Sequence, residues 1–593
     1  MTKPTSDILE RIYKNSSEHK DGVYTRLYRY LLRDDIYYLA YQKLYSNKGA
    51  STKGIDNDTA DGFGKKYVDS LIKELSDGTY TPKPVRREYI KKKNGKMRPL
   101  GIPSFRDKLL QEVIRNFLEA IYEPTFSDFS HGFRPKRSCH TALEQAKLYF
   151  RGAKWFIEGD IKGCFDDIDH DKLIEILQRK IKDSRFINVI RSFLKAGYME
   201  DWKYHQTYSG CPQGGILSPI LANIYLNELD NEIAKIKQAF DKPATRKITP
   251  EHSSLSAKLF KRRKKLKSAT GEQRTALLSE IHDLEEQYRK TPSKMQDDKK
   301  VSYVRYADDF LIAVNGNKED CVKLKEQLAK FLFDEYKLTL SKDKTLITHS
   351  SERVRFLGYD ISVRRNQEYM TDSKGRKIRH LNNTVALSVP FEKIEKHMFE
   401  KGFVRQTEAK KFRPLHKKGW LYLPDAEIVE RYNAEIRGIV NYYYLASNLY
   451  KLQYFAYLME YSCLATIAGK YNSTIKKIVA KHKQGKEWVI KYKTENGATK
   501  EKRIVKLKDC KGKCEDKIVQ HKYSVNTNAT IRARLMAGIC ELCGSKDKAS
   551  YEVHHVPSVK GLDGTSLWEQ IMKSKRRKTL VVCEDCHKAI HDE

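Results

Sequence analysis

No stretch of this 593-residue chain approaches the roughly 18 consecutive apolar residues that a bilayer span requires. The segment Met1 to Glu18 lacks the apolar core of a secretory signal. A membrane-spanning protein is therefore not expected. Cysteine is scarce, with eleven residues, too few for a disulfide scaffold. Acidic residues are in deficit: 77 Asp and Glu face 113 Lys and Arg, a net charge of +36. Self-repulsion on that scale argues against an ordinary soluble metabolic enzyme and calls for a polyanionic partner. Aromatics at 11% and hydrophobics at 40% supply real cores, which excludes global disorder. Nucleic acid is the expected partner. At about 150 residues per domain, roughly four compact units are expected.

The chain is uneven along its length. Ile8, Leu9, Ile12 and Tyr13 recur at helical spacing. From about residue 85 to 360 strand and helix patterns alternate, as in an α+β domain. Trp155–Asp160 and Tyr303–Tyr306 read as strands, and Lys172–Ile181 as a helix. A helical insertion is expected over about 231–300, where Lys258–Lys267 carries seven basic residues; a solvated charge run and a nucleic-acid contact both account for it. Residues 425–482 keep a period near 3.6 through Ile428, Val429, Tyr432, Ile436, Ile439, Val440 and Tyr443. Beyond them, Trp488–Lys493 and Arg503–Lys508 flank an Asn496-Gly497 turn signal, which reads as a β-hairpin or a tethered basic arm.

The sharpest local feature is Tyr306-Ala-Asp-Asp309, set between the apolar runs Val301–Arg305 and Phe310–Val314. Two strands joined there place adjacent carboxylates at a hairpin tip. A second strand, Phe156-Ile-Glu-Gly-Asp160, also ends in acid. Asp160 and Asp308 on neighbouring segments form an oxygen-only pocket suited to Mg²⁺. Two such ions about 4 Å apart support in-line displacement of pyrophosphate by a 3′-hydroxyl, the chemistry of polymerisation.

Asp160-Ile-Lys-Gly-Cys-Phe165, Gly210-Cys-Pro-Gln-Gly-Gly-Ile-Leu-Ser-Pro219 and Tyr306-Ala-Asp-Asp309 stand in the order and spacing of reverse transcriptases, joined by Arg98–Pro103, His131–Pro135 and Phe356–Tyr359. The chain resembles the group II intron-encoded proteins, multifunctional reverse transcriptases and RNA maturases, from about residue 48 to its end. The resemblance implies a right-hand polymerase with fingers, a ferredoxin-like palm and a helical thumb. Asp160 and Asp308 would hold the ions, with Asp309 as supporting carboxylate. Phe165 matches the aromatic that lies under the nucleotide sugar and rejects a 2′-hydroxyl. Lys92 and Arg98 would grip the triphosphate, as a point charge and as a fork on phosphate oxygens. Gln213 falls in the wall around the nascent base pair. Cys211 departs from the usual Thr there. Residues 425–482 resemble the thumb and maturase region, whose implied role is to bind the host intron RNA.

Six of the cysteines lie in the last 84 residues. Cys540-Glu-Leu-Cys543 and Cys583-Glu-Asp-Cys586 suit a tetrahedral structural Zn²⁺. Between and after them stand His554-His555 and the helically spaced His587 and His591. This pattern resembles an HNH endonuclease, a small ββα-metal fold. His555 would be the general base, and His554, His587 and His591 would hold one divalent ion on the scissile phosphate. Thr579 stands near the place of the usual middle Asn, which leaves open what orients His555.

The expected organisation is a multidomain α+β chain: an N-terminal extension over 1–84, fingers and palm over 85–375, thumb and maturase region over 376–482, a basic DNA-binding segment over 483–534 and the HNH domain over 535–593. The expected partners are intron RNA, target DNA and deoxynucleoside triphosphates, with no membrane; monomer and dimer stay open. A bacterial cytoplasmic, nucleoid-associated protein is the default, and an organelle origin stays open. The alternatives are a non-catalytic RNA-binding maturase and a retrotransposon polymerase of another lineage.

Overall fold

The computed structural model describes residues 4–593 apart from 92–94, 96, 201–202, 208, 212–213, 244–246, 292, 294–297, 367, 380–381, 408–410, 486, 494–496, 511–529 and 547. The fold is a mixed helix and sheet assembly in several units. In the N-terminal part, helices Thr5–Glu18, Asp35–Leu44 and Lys65–Asp77 pack with the long helix Phe105–Tyr122. That helix begins at Ser104, whose hydroxyl accepts the Asp107 N–H at 3.2 Å, an N-cap that satisfies an otherwise orphan donor. Ile8, Leu9 and Ile12 are buried as their spacing predicts, whereas Tyr13 lies outside the buried stripe and is exposed.

A four-stranded antiparallel sheet forms the centre, in the order Lys300–Tyr306, Asp309–Asn315, Trp155–Asp160 and Ile347–His349. Its strands are apolar on both faces because both faces are covered. Side chains alternate across a strand, so Val301, Tyr303, Phe310, Ile312 and Val314 join one core with helix Ser218–Phe240. Val304, Leu311 and Ala313 join a second core with helix Cys139–Tyr149 and the C-terminal helices. The hairpin is thus clamped between two cores. Gly159 permits close packing here: a Cβ on it would lie 2.1 Å from the Phe310 ring.

Two sequence readings shift. Helix Ser218–Phe240 runs through 231 without a break, because Leu229, Ile233 and Ile236 continue its buried face. The excursion that follows is a helical pair, Pro250–Leu266 and Gly271–Lys290. The hairpin near residue 497 exists, but its return strand is Thr499–Arg503 and not 503–508. It is not a loose arm. Trp488, Ile490 and Ile504 are buried in the second core, and Asn433 clamps it by donating to the Arg503 carbonyl and accepting from Val505 N–H, each at 2.8 Å.

The Asp308 turn rests on a buried ion pair. Arg305 is fully buried; its Nε and Nη2 donate to the Asp230 carboxylate at 2.8 and 2.6 Å. Its remaining N–H groups reach Ser130 Oγ at 2.8 Å and the Ala307 carbonyl at 2.9 Å. Ala307 adopts a left-handed conformation, φ 57°, and a Cβ on Gly132 would lie 2.2 Å from its nitrogen. Removing one partner of such a pair leaves an uncompensated buried charge, at a cost of about 3–5 kcal/mol.

His131 lies beside this turn, its N–H donating to the Arg305 carbonyl at 2.9 Å and its ring bonded to Thr141 and Gln145. Burial lowers its pKa to about 4, below the ordinary 6.5, and the nearby arginines add to the shift. The folded state therefore resists protonation that the unfolded chain accepts. This stability is complete above pH 6.5 and is lost as pH falls toward 4. Between pH 7 and 5 the loss should reach about 2 kcal/mol. His131→Gln, which does not titrate, should flatten that part of the denaturation profile; equal slopes for both proteins would rule the effect out.

Candidate active sites

The central carboxylates converge. Asp160 ends its strand directly opposite Asp309, and Asp308 occupies the turn just before Asp309. Burial, Asp308 and Asp160 raise the Asp309 carboxyl to about 6. Burial and Asp160 also raise Asp308, while Lys344 and Arg98 oppose the shift. Like charges crowded this closely repel unless cations lie among them. An all-oxygen donor set under that strain fits divalent ions such as Mg²⁺. Lys344 Nζ already donates to Asp160 Oδ2 at 2.8 Å, on a segment held by the bond from Ser341 N–H to the Asp160 carbonyl at 2.8 Å.

Arg98 sits on strand Met97–Ile102, paired with Ile90 in the hairpin partner Val85–Lys91. Its positive charge opposes the rise in the Asp308 pKa. Phe165 lies past Asp160 and meets Phe133 edge to face, ring centroids 6.2 Å apart. Its carbonyl accepts the Cys211 N–H at 2.7 Å, which ties the Gly210-Cys211 segment to the Asp160 turn. A cavity of about 400 Å³ opens there, lined by Arg87, Gly101, Asp166, Ser209 and Gly210. The Cys211 side chain is buried. Lys92 and Gln213 lie outside the described residues.

At the C-terminus, Tyr551–His555 and Thr579–Cys583 form an antiparallel pair followed by helix Glu584–Asp592. The four sulfurs of Cys540, Cys543, Cys583 and Cys586 lie within 4.8 Å of one another. Main-chain N–H groups of Cys543 and Cys583 point at Cys540 Sγ, both at 3.4 Å. Although burial opposes ionisation, these donors lower the Cys540 thiol to about 7. Four sulfurs gathered this closely, with amide donors behind one of them, fit a structural zinc ion.

His554, His587 and His591 also come together, joined by a residue from the far end of the chain, Asp61. Asp61 Oδ2 is 2.7 Å from His591 Nε2 and 3.3 Å from His587 Nε2, and Oδ1 is 3.3 Å from His554 Nδ1. Burial opposes charge on His587, but Asp61 and Glu552 outweigh it and raise the imidazole to about 9. His555 does not share this cluster. Its Nε2 lies 3.1 Å from the Tyr45 carbonyl. A carbonyl only accepts, so Nε2 carries the proton and Nδ1 keeps a lone pair. Burial lowers the His555 pKa. Thr579 faces His555 across the strands, but its hydroxyl and carbonyl accept from Arg534 at 2.9 and 3.0 Å.

Reasoning from sequence singled out the three central carboxylates, the histidines and the cysteines. It missed Asp61, Lys344, Arg305 and Asp230. Arg305 had a readable signal, a charge inside an apolar strand. Asp61 had none.

Three family profiles match in order along the chain. Residues 90–247 and 278–361 match the reverse transcriptase (RNA-dependent DNA polymerase) family. Residues 382–533 match the type II intron maturase family, and 540–587 the AI2M/AI1M-like HNH endonuclease family. The group II intron-encoded protein LtrA of Lactococcus lactis subsp. cremoris is 52% identical across 99% of both chains. A 91 kDa protein in the cob intron of Schizosaccharomyces pombe is 37% identical across 98% of this chain and 72% of its own.

Proposed function

The chain belongs to the group II intron-encoded proteins, as an RNA-directed DNA polymerase with maturase and HNH endonuclease units, and we propose that these act together in target-primed insertion of the host intron. The terminal nuclease cuts one DNA strand, and the polymerase extends the freed 3′ end along intron RNA. The opposition of Asp160 and Asp309, with Asp308 next to them at the hairpin tip, carries this reading.

In the proposed polymerase site Asp160 and Asp308 hold Mg²⁺, and Asp309 supports them. Ions bound there would supply the charge that favours the primer alkoxide and the leaving pyrophosphate. Arg98, with Lys92, binds the triphosphate; Phe165 excludes a ribose 2′-hydroxyl; Gln213 borders the base pair. Fingers and palm span 85–375 after the extension 1–84, the thumb spans 376–482, and the basic segment 483–534 binds DNA. This division corresponds to a right-hand polymerase. Residues 425–482 grip the folded intron RNA.

In the proposed nuclease, residues 535–593 form a zinc-stabilised ββα-metal unit with Cys540, Cys543, Cys583 and Cys586 as zinc ligands. His554, His587 and His591 would hold a divalent ion, which would supply positive charge to the scissile phosphate. His555 Nδ1 takes the proton of the attacking water, and the Tyr45 carbonyl keeps Nε2–H in place. No helix among the described residues is long and apolar enough to cross a membrane, and the net charge suits work on the bacterial chromosome.

The test is a splicing assay with precursor RNA transcribed from the host intron. Purified protein should accelerate splicing at moderate salt. Its RNA affinity should fall steeply with added salt, with a log–log slope of about −0.7 per phosphate neutralised on single strands. A precursor that splices no faster with protein than without it removes the maturase role.

A further inference from the structure

The nuclease site is not built from the terminal module alone. Strand Phe63–Gly64 pairs antiparallel with Tyr551–His555, Phe63 opposite Val553, and extends the module's sheet by a third strand. Gly62 N–H donates to the Val553 carbonyl at 3.0 Å. Phe63 is fully buried and stacks on Tyr41 with centroids 3.9 Å apart. Ile531, Val553 and Val581 share a core with the N-terminal helices, and Lys66 pairs with Glu584. This docking carries Asp61 to the three histidines.

We propose that Asp61, from the polymerase's N-terminal region, is a fourth protein ligand of the nuclease ion, so that the nuclease is complete only when docked on the polymerase. The inference rests on the reading of His554, His587 and His591 as ligands. Atoms bound to one ion at about 2.0–2.1 Å stand about 3.3 Å apart in a tetrahedron and about 2.9 Å apart in an octahedron. Asp61 Oδ2 stands 2.7 Å from His591 Nε2 and 3.3 Å from His587 Nε2, those two nitrogens are 3.3 Å apart, and the other carboxylate oxygen, Oδ1, is 3.3 Å from His554 Nδ1. His554 is buried, and neither of its ring nitrogens has a hydrogen-bond partner among the described residues. A buried imidazole facing a carboxylate without a proper hydrogen bond is accounted for by an ion that both ligate.

The same carboxylate seen as a plug, standing where the scissile phosphate binds, would have to leave on substrate binding. The support behind it opposes that. Asp61 Oδ1 accepts the His555 N–H at 2.7 Å, and Ala60 and Phe63 on either side are fully buried. Three imidazoles and one carboxylate leave open positions for water and phosphate only on an ion that takes about six ligands. Mn²⁺ is therefore the probe.

Mn²⁺ binding is measured on the full chain by electron paramagnetic resonance in an Asp160→Asn/Asp308→Asn background, so that the terminal site reports. Asp61→Asn keeps an acceptor for the His555 N–H but loses the charge. It should weaken Mn²⁺ binding about tenfold or more, and DNA nicking should fall and recover at raised Mn²⁺. Unchanged affinity, or nicking faster than in the parent, overturns the proposal and favours the plug. His587→Ala is the control for the underlying reading: if it leaves Mn²⁺ affinity intact, the histidine site itself is wrong. Should the Asn chain melt early, Asp61→Glu replaces it, with a several-fold weakening expected and no change counting against the proposal.

Discussion

Exchanging Asp308 for asparagine is expected to slow primer extension by about three orders of magnitude, the equivalent of about 4 kcal/mol of transition-state charge stabilisation. The loss should appear in kcat, with template RNA bound as before. The amide is isosteric, and the turn is held from behind by Arg305 on the Ala307 carbonyl, not by the Asp308 side chain. What disappears is one anionic ligand in a cluster already crowded enough to raise Asp309 to about 6. Rates followed in single-turnover reactions across a range of Mg²⁺ decide the matter. A variant that keeps a tenth of the parent rate at saturating Mg²⁺ leaves Asp308 without the assigned role.

The second large effect is expected at the four cysteines. Structural zinc contributes about 10–16 kcal/mol to the folding of small zinc modules. The module's own core is slight, with Val556, Met572, Leu580, Val582 and Ile590 gathered around Cys540 and Cys583. A core of that size does not hold a unit of about 50 residues unaided. Cys540→Ser, or a strong zinc chelator, should therefore open the terminal module to trypsin and abolish nicking, while primer extension keeps most of its rate. Elemental analysis should find one zinc per chain. A zinc-free chain whose terminal module still resists trypsin would show that the cysteines are not its staple.

The difference between what was readable in the chain and what was not follows the range of the interactions. Asp308 and Asp309 were legible because two apolar runs around a four-residue turn signal specify a hairpin by local pattern alone. His587 and His591 were legible because a helix brings residues four apart onto one face. The Cys-x-x-Cys pairs carry their geometry in their spacing. The return strand near residue 500 was misplaced because apolar content marked 503–508, while the actual pairing is set by the docking of Trp488 and Ile504 onto helix Asp425–Tyr442 and the core around it.

Local order along the chain thus settles which chemistry each segment carries: acid at a hairpin tip, imidazoles on a helix turn, thiolates in knuckles. It does not settle which segments meet. Asp230 lies 75 residues from the Arg305 it neutralises, and Asp61 lies 494 residues from the main-chain donor it accepts. Short-range periodicity encodes burial and secondary structure, but a contact between distant segments is written only in how their buried surfaces fit, and that fit exists only once the cores have packed.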